Sequence, residues 1–244
     1  MKQQTQKQQR QQDHEIPVLD YDKKLLQEIN QKCLPPDQEI TIEYQGHFYF
    51  EDDEPHEEDI FHVYLKKNNK NVSQIELMFK KAEDHDLFDD VIIQSDTEQQ
   101  YRCLHYNTIL RSVIVLLMPG MTIQKRRIEK VYSAAQNYLS VYSLAKLGFI
   151  VEEFEGFFQG FNLSFYSPYQ EKNQQQRLVK QKQLKQYVRS KYQNQQEDFH
   201  EVTMVLFKKD YGKASTLAKT ILNRLCEDCL KKATKRKHQQ QTQK

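Results

Sequence analysis

The sequence predicts an α+β fold of two α/β subdomains with mostly antiparallel sheets, ending in a long amphipathic helix. Two observations support this prediction. In the first half, apolar and polar residues alternate, as at Ile40, Ile42 and Tyr44, which is typical of strands with one buried face. At the end of the chain, apolar residues recur every three or four positions from Ala214 to Leu230, which is typical of a helix that buries one face.

The folded part is expected to begin with a helix. Leu25, Leu26 and Ile29 lie at helical spacing. Asp20 and Asp22 can both serve as the N-cap of this helix, and Pro35-Pro36 ends it.

Five strands should follow. The pair Gln45-Gly46 predicts a tight turn that makes a hairpin of the first two strands. The polar stretch from Lys66 to Asn71 predicts the turn between the third and fourth strands. The expected strands are 39–44, 47–50, 60–65, 72–79 and 91–93.

The centre of the chain is expected to be helical. A first helix covers 98–118 and ends at Pro119-Gly120. A second covers 122–147, with Thr122 as its N-cap and Gly148 just past its end.

Later strands are expected at 149–151, 161–166 and 202–207, where apolar residues alternate. Residues 170–197 are basic and rich in glutamine, and three assignments stay open for them. Leu184 and Val188 favour a helix, but an edge strand or a disordered insertion also fits the composition.

Glutamine tracts mark the two ends of the chain, and such tracts bury too little apolar surface to offset the entropy of ordering. The expected organisation is a disordered tail at 1–15, a first subdomain at 16–120, a second at 121–237 and a disordered tail at 238–244.

Composition favours an intracellular, cytoplasmic protein. The four cysteines are too few for a disulfide scaffold, and no secretory signal precedes them. The most apolar run, from Ile109 to Met118, contains Arg111 and is shorter than the roughly 20 residues that a membrane span needs.

The usual catalytic and cofactor motifs are missing. The chain has six glycines and no glycine-rich phosphate loop or nucleophile elbow. Cys226 and Cys229 form a lone C-x-x-C whose position in the last helix favours packing over zinc binding. His56, Asp59 and His62 match no metal-ligand spacing. The sequence therefore predicts a non-catalytic protein without a metal or another cofactor.

Charge is distributed unevenly between the two halves. Residues 1–122 carry 13 Lys/Arg against 23 Asp/Glu, and residues 123–244 carry 23 against 11, so the net charges are −10 and +12. This asymmetry indicates a basic face for an acidic partner. The alternative is a solvated helix face. The candidate binding residues are Lys208, Lys209, Lys213, Lys231, Lys232, Lys235, Arg236 and Lys237.

Four separated segments resemble subunit two of the actin-related protein two/three complex, the nucleator of branched actin. They are 18–28, the first strands at 39–50, the strand at 161–166 and the strand-to-helix ending that starts at 202–207. The resemblance implies two α/β subdomains and a non-catalytic scaffold of the cytoskeleton.

Three kinds of partner follow from this resemblance: the actin filament, the actin-related proteins and a sister subunit. The basic residues would contact acidic actin. The last helix would pack against the sister subunit through the apolar residues Leu217, Ile221, Leu222 and Leu225.

Two alternatives stay open. The segment from Tyr106 to Ser112 resembles the helix in the HORMA-type domain of autophagy-initiation scaffolds. The basic second half also allows a nucleic-acid-binding protein, whose affinity would fall steeply with salt.

Overall fold

A seven-stranded sheet carries the fold, and the buried side chains of five helices share one hydrophobic core with it. The computed structural model describes residues 16–50, 56–80, 90–97, 106–151, 173–192 and 202–225. The strands are β1 (Leu19–Asp20), β2 (Gln38–Phe50), β3 (His56–Lys67), β4 (Lys70–Lys80), β5 (Asp90–Thr97), β6 (Thr122–Ile123), β7 (Arg126–Arg127), β8 (Lys130–Ala135), β9 (Ile150–Val151) and β10 (Val202–Phe207). The helices are α1 (Lys23–Lys32), α2 (Tyr106–Leu117), α3 (Tyr138–Ala145), α4 (Gln174–Tyr192) and α5 (211–225).

Strand order in the large sheet is β2-β3-β4-β5-β8-β10-β9. Every pair in it is antiparallel except β5 with β8. A second, three-stranded sheet has the order β1-β6-β7. The predicted α+β class, with mostly antiparallel sheets and a C-terminal helix, is confirmed. Because β5 pairs with β8, the large sheet runs across the boundary at residues 120 and 121, and the two predicted subdomains share one sheet and one core.

The predicted hairpin at Gln45-Gly46 is wrong. β2 is one strand that pairs with β3 from Gln38 to Phe50, and its register shifts between Tyr44 and Gly46. Gly46 has φ +148°, a backbone conformation that suits glycine, so the glycine makes a bulge here instead of a turn. The predicted polar turn between β3 and β4 is confirmed, since Asn68 and Asn69 both have positive φ.

The predicted first helix is confirmed as α1, and of its two candidate N-caps the structure has Asp22. The side chain of Asp22 accepts a hydrogen bond of 2.9 Å from the backbone N–H of Leu25, as an N-cap does. The apolar face of α1 buries Leu26 and Ile29. The expected strand at 91–93 lies within β5.

The helix expected at 122–147 is wrong. Residues 122–135 form β6, β7 and β8, and the helix α3 starts only at Tyr138. The N-cap of α3 is Asn137, whose side chain accepts a hydrogen bond of 2.9 Å from the backbone N–H of Ser140, so Thr122 is not a cap. The spacing of Val131 and Ala135 fits a helix, but on a strand these two residues also share one face, and both are buried.

The three assignments left open for residues 170–197 resolve to a helix over the described part, residues 173–192. Leu184 and Val188 are buried in the core, where α4 contacts α3. Leu184 and Val188 are four residues apart and so lie on one face of α4, and their burial attaches this otherwise polar helix to the core. The predicted strand at 161–166 lies outside the described residues.

Lys146 gives the fold a testable pH dependence. It lies one residue beyond α3, and its ammonium nitrogen is 4.6 Å from the centroid of the Tyr142 ring. Burial lowers the pKa of Lys146 from its ordinary 10.5 to about 8. Between these values the unfolded chain binds more protons than the native state, so this group should make stability rise with pH over that window.

We expect Lys146→Met to remove that rise, because methionine has no proton to release. The free energy of unfolding should be measured in urea at both ends of the window for the wild type and the variant. Lys219→Met is the matched control, since Lys219 is exposed on α5. Identical pH slopes in the wild type and Lys146→Met would contradict the prediction.

Candidate interaction surface

Three of the predicted basic residues lie at the junction of β10 and α5. Lys208 and Lys209 belong to a single 3₁₀ turn that ends at Asp210, and Lys213 lies in the first turn of α5. The other predicted residues lie outside the described part of the chain; they are Lys231, Lys232, Lys235, Arg236 and Lys237. Cys226 and Cys229 also lie outside it.

Hydrogen bonds attach this junction to the segment before β8. The backbone N–H of Lys208 donates to the carbonyl oxygen of Glu129 over 2.8 Å, and the Lys208 ammonium pairs with the Glu129 carboxylate. The hydroxyl of Tyr211 donates to the carbonyl oxygen of Ile128 over 3.2 Å. These contacts bring residues 208–211 beside residues that are about 80 positions earlier in the chain.

The segment before β8 adds a basic hairpin. β6 and β7 pair around a two-residue turn, in which Gln124 and Lys125 have φ of +49° and +66°. Lys125 and Arg127 are exposed, and Arg127 is two residues from Glu129. The structure therefore joins two basic segments, which together we name the basic cluster; its residues are Lys125, Arg126, Arg127, Lys130, Lys208, Lys209 and Lys213.

Carboxylates neutralise only part of this charge. Glu129 pairs with Lys208, and Asp210 lies 3.8 Å from the ammonium of Lys213. The two segments therefore hold seven basic side chains and two acidic ones between residues 122–130 and 207–213. Among the described residues, Lys125 and Lys209 have no ion-pair partner, and Lys209 instead lies 5.2 Å from the centroid of the Phe207 ring. A surface of this charge favours an acidic partner.

Sequence reasoning missed the hairpin half of the basic cluster. The run Lys125-Arg126-Arg127 is visible in the sequence, but the helix predicted at 122–147 would spread these three charges around its axis. Gln124-Lys125 carries no glycine or asparagine, so the usual signal of a tight turn is absent.

The predicted partner-packing residues of α5 lie in or against the core of the chain itself. Ile221 and Leu222 are 1% and 2% exposed and belong to the chain's own core. Leu217 is also buried, and Leu225 is partly buried against the core. Their periodicity reflects packing within the chain, which covers them before any partner could.

The histidines and carboxylates near the start of β3 do not converge on one point. Asp59 accepts hydrogen bonds from the Tyr44 hydroxyl at 3.3 Å and contacts His47 at 3.1 Å. His62 instead contacts the Tyr64 hydroxyl at 2.8 Å and Glu76 at 3.0 Å. Three residues apart on a strand, Asp59 and His62 point to opposite faces of the sheet. Within the described ranges, no group of three or more His, Cys, Asp or Glu side chains could hold a metal ion.

Burial and the charge of Asp59 raise the pKa of Tyr44 to about 12, so its hydroxyl stays a proton donor.

In the described part of the chain, no helix is long and apolar enough to cross a membrane. A comparison with protein-family models found no match, and comparisons with curated proteins and with solved structures found none either.

Proposed function

We propose that this chain is a non-catalytic scaffold that holds other proteins, of the HORMA-like kind that acts in autophagy initiation. The observation that supports this best is the position of α2, the helix that contains the segment from Tyr106 to Ser112. Nine of its residues are buried, and it packs on β3, β4 and β5. The segment with the HORMA-type resemblance is thus a helix at the centre of the fold.

The actin-nucleating interpretation has less support from the geometry. It needs a last helix whose apolar residues face a sister subunit, whereas Ile221 and Leu222 lie in the chain's own core. It retains the basic residues Lys208, Lys209 and Lys213, which suit an acidic filament. Those residues suit an acidic surface on any other partner equally well, so they do not favour actin.

In the proposed scaffold, the basic cluster would contact an acidic surface of another subunit. Its charge would draw that subunit in from a distance and orient it. The proposal implies a cytoplasmic location.

The test is affinity purification of the full chain from its own cells, followed by identification of the proteins that come with it. We expect the subunits of a kinase complex that starts autophagy. Recovery of actin-related proteins together with a sister subunit would overturn the proposal in favour of the actin-nucleating scaffold. Retention on nucleic acid that weakens steeply with salt would favour the third interpretation.

Charge reversal then tests the basic cluster itself. The variant Lys125→Glu/Arg127→Glu/Lys209→Glu should lose the partner, because it places three carboxylates where the acidic surface would bind. The matched control reverses three exposed lysines elsewhere, Lys23, Lys24 and Lys70, with the same change in net charge. Equal recovery of the partner by both triple variants would exclude the basic cluster as the contact.

A further inference from the structure

The outer edge of β2 carries backbone groups that face away from the sheet. β2 is the first strand in the sheet order, and β3 is its neighbour on the other side. At Ile40 the backbone N–H and C=O both bond to the side chain of Asn30 on α1, at 2.9 and 3.0 Å. Ile40 therefore directs its backbone groups away from β3.

The outward direction found at Ile40 repeats at every second residue of β2, because β2 and β3 form an antiparallel ladder. Residues that exchange hydrogen bonds with the neighbour alternate with residues that do not. Ile40, Ile42 and Tyr44 lie opposite Leu65, Val63 and Phe61 in an unbroken register. Ile42 and Tyr44 therefore also direct their backbone N–H and C=O to the outer edge.

The first part of this edge is already satisfied within the chain. The N–H of Gln38 donates to the carbonyl oxygen of Pro35 over 2.9 Å, and Asn30 occupies both groups of Ile40. In the described part of the chain, no hydrogen bond is made at the outer edge by the backbone of Ile42 or Tyr44. Ile42 and Tyr44 thus direct two N–H and two C=O groups to the outer edge, in the arrangement that one strand uses to pair with another.

The edge is also held rigidly. Ile42 and Tyr44 are partly buried and pack against the core, and the Tyr44 hydroxyl donates to Asp59. The Tyr44 ring lies 5.1 Å from the ring of Phe61, centroid to centroid. A rigid edge loses little conformational freedom when a strand is added.

We propose that the edge of β2 at Ile42 to Tyr44 binds an extended segment of a partner protein, in which basic and apolar side chains alternate. The partner's backbone would bond to Ile42 and Tyr44 and add a strand to the sheet. Its apolar side chains would lie beside those of Ile42 and Tyr44, on the face of the sheet that packs against the core. This proposal does not depend on the function proposed above.

Carboxylates on the other face of β2 favour basic side chains in the bound segment. Glu39, Thr41 and Glu43 lie on that face, and both carboxylates are exposed. Glu43 pairs with Lys66 of β3 at 2.6 Å, whereas Glu39 has no ion-pair partner among the described residues. Hydrogen bonds from Lys66 and Thr41 lower the pKa of Glu43, so it stays ionised at neutral pH. A lysine or arginine opposite Glu43 would meet its carboxylate across the pair. One opposite Thr41 would lie diagonal to both Glu39 and Glu43, within reach of a long side chain.

The same carboxylates disfavour a second copy of this chain as the occupant. A two-fold antiparallel pairing of two β2 edges through Ile42 and Tyr44 would centre on Glu43 and place it directly opposite its own copy. Like charges directly opposite each other destabilise a strand pair.

Short synthetic peptides test the proposal by fluorescence anisotropy at low ionic strength. A peptide of alternating lysine and valine should bind, and the same peptide with glutamate in place of lysine should not. Two further peptides separate strand addition from simple attraction of charge. One is N-methylated at its lysines and the other at its valines, so only one of them loses the N–H groups that face β2. Binding by only one of the two is the expected result, and equal behaviour of the two would overturn the proposal.

Protein variants complete the test. Glu39→Gln/Glu43→Gln should weaken binding of the lysine–valine peptide about two- to tenfold, from the loss of the direct charge pair at Glu43 and the diagonal one at Glu39. Asp20→Asn/Glu28→Gln, which removes two exposed carboxylates elsewhere, should leave it unchanged. Ile42→Pro removes an N–H that faces outward, so the ladder with β3 is kept while binding is lost.

Circular dichroism should establish that Ile42→Pro is folded; if it is not, the glutamine variant and the methylated peptides decide the question alone. Equal binding to the glutamine variant and its control would overturn the role of the carboxylates. A dimer of the wild-type chain in sedimentation that becomes a monomer in Ile42→Pro would overturn the proposal in favour of a second copy.

Discussion

Leu110→Ala should lower the free energy of unfolding by about 2–5 kcal/mol, the range seen for leucine truncation in a packed core. Leu110 is 0% exposed on α2, which packs on β3, β4 and β5. The truncation removes apolar contacts and leaves a cavity under the central helix, where the surrounding strands cannot close it fully. Unfolding in urea, followed by circular dichroism, measures the change.

The matched control is Leu139→Ala on α3, whose side chain is 52% exposed. The chemical change and the secondary structure are the same, so the two variants differ chiefly in burial. We expect the control to stay within about 0.5 kcal/mol of the wild type. A loss of similar size in both variants would contradict the central position of α2, and with it the main support for the HORMA-like interpretation.

Strands with a regular alternation could be predicted from the sequence. β10 has the predicted bounds, and β2 begins within one residue of its prediction, because each has an apolar residue at every second position. The cap of α1 is visible too, at Asp22, whereas the cap of α3, Asn137, is not, because the N-cap of that helix is predicted at Thr122. These features depend on a few neighbouring residues.

β8 could not be predicted, because its partners are distant in the chain. Val131 and Ala135 fit either period, and Ser133 between them is small and polar yet 0% exposed. What decides for a strand is pairing on both sides, with β5 and with β10, the second of which is about 70 residues away. At Gly46 strand pairing also decides, although the partner is the next strand: β2 keeps its pairing with β3 past a glycine that would otherwise turn the chain.

The basic cluster could not be predicted for the same reason, because its two segments are distant in the chain. Its two segments, 125–130 and 208–213, are each ordinary basic stretches. The pairing of β8 with β10 and the hydrogen bonds to Glu129 and Ile128 bring them together. For the apolar face of α5, the sequence predicts burial but leaves open what covers the face. Its periodicity correctly predicts a buried face, but periodicity does not tell whether the surface that covers it belongs to the same chain.

Leu222→Ala distinguishes these two origins of a buried face. If the chain's own core covers Leu222, the isolated protein should lose about 2–5 kcal/mol of unfolding free energy, since the residue is 2% exposed. If a partner helix covered it instead, the isolated protein would keep its stability and only the complex would weaken. The measurement is urea unfolding of the isolated chain, beside recovery of partners with the same variant.

Asn223→Ala, at the next and exposed position of α5, controls for effects on the helix itself. We expect it to stay within about 0.5 kcal/mol of the wild type. An unchanged stability of Leu222→Ala together with a lost partner would restore the helix-pairing interpretation and the sister subunit that it requires. A large loss of stability instead means that partners must bind elsewhere on the chain, and the basic cluster and the edge of β2 are then the surfaces to test.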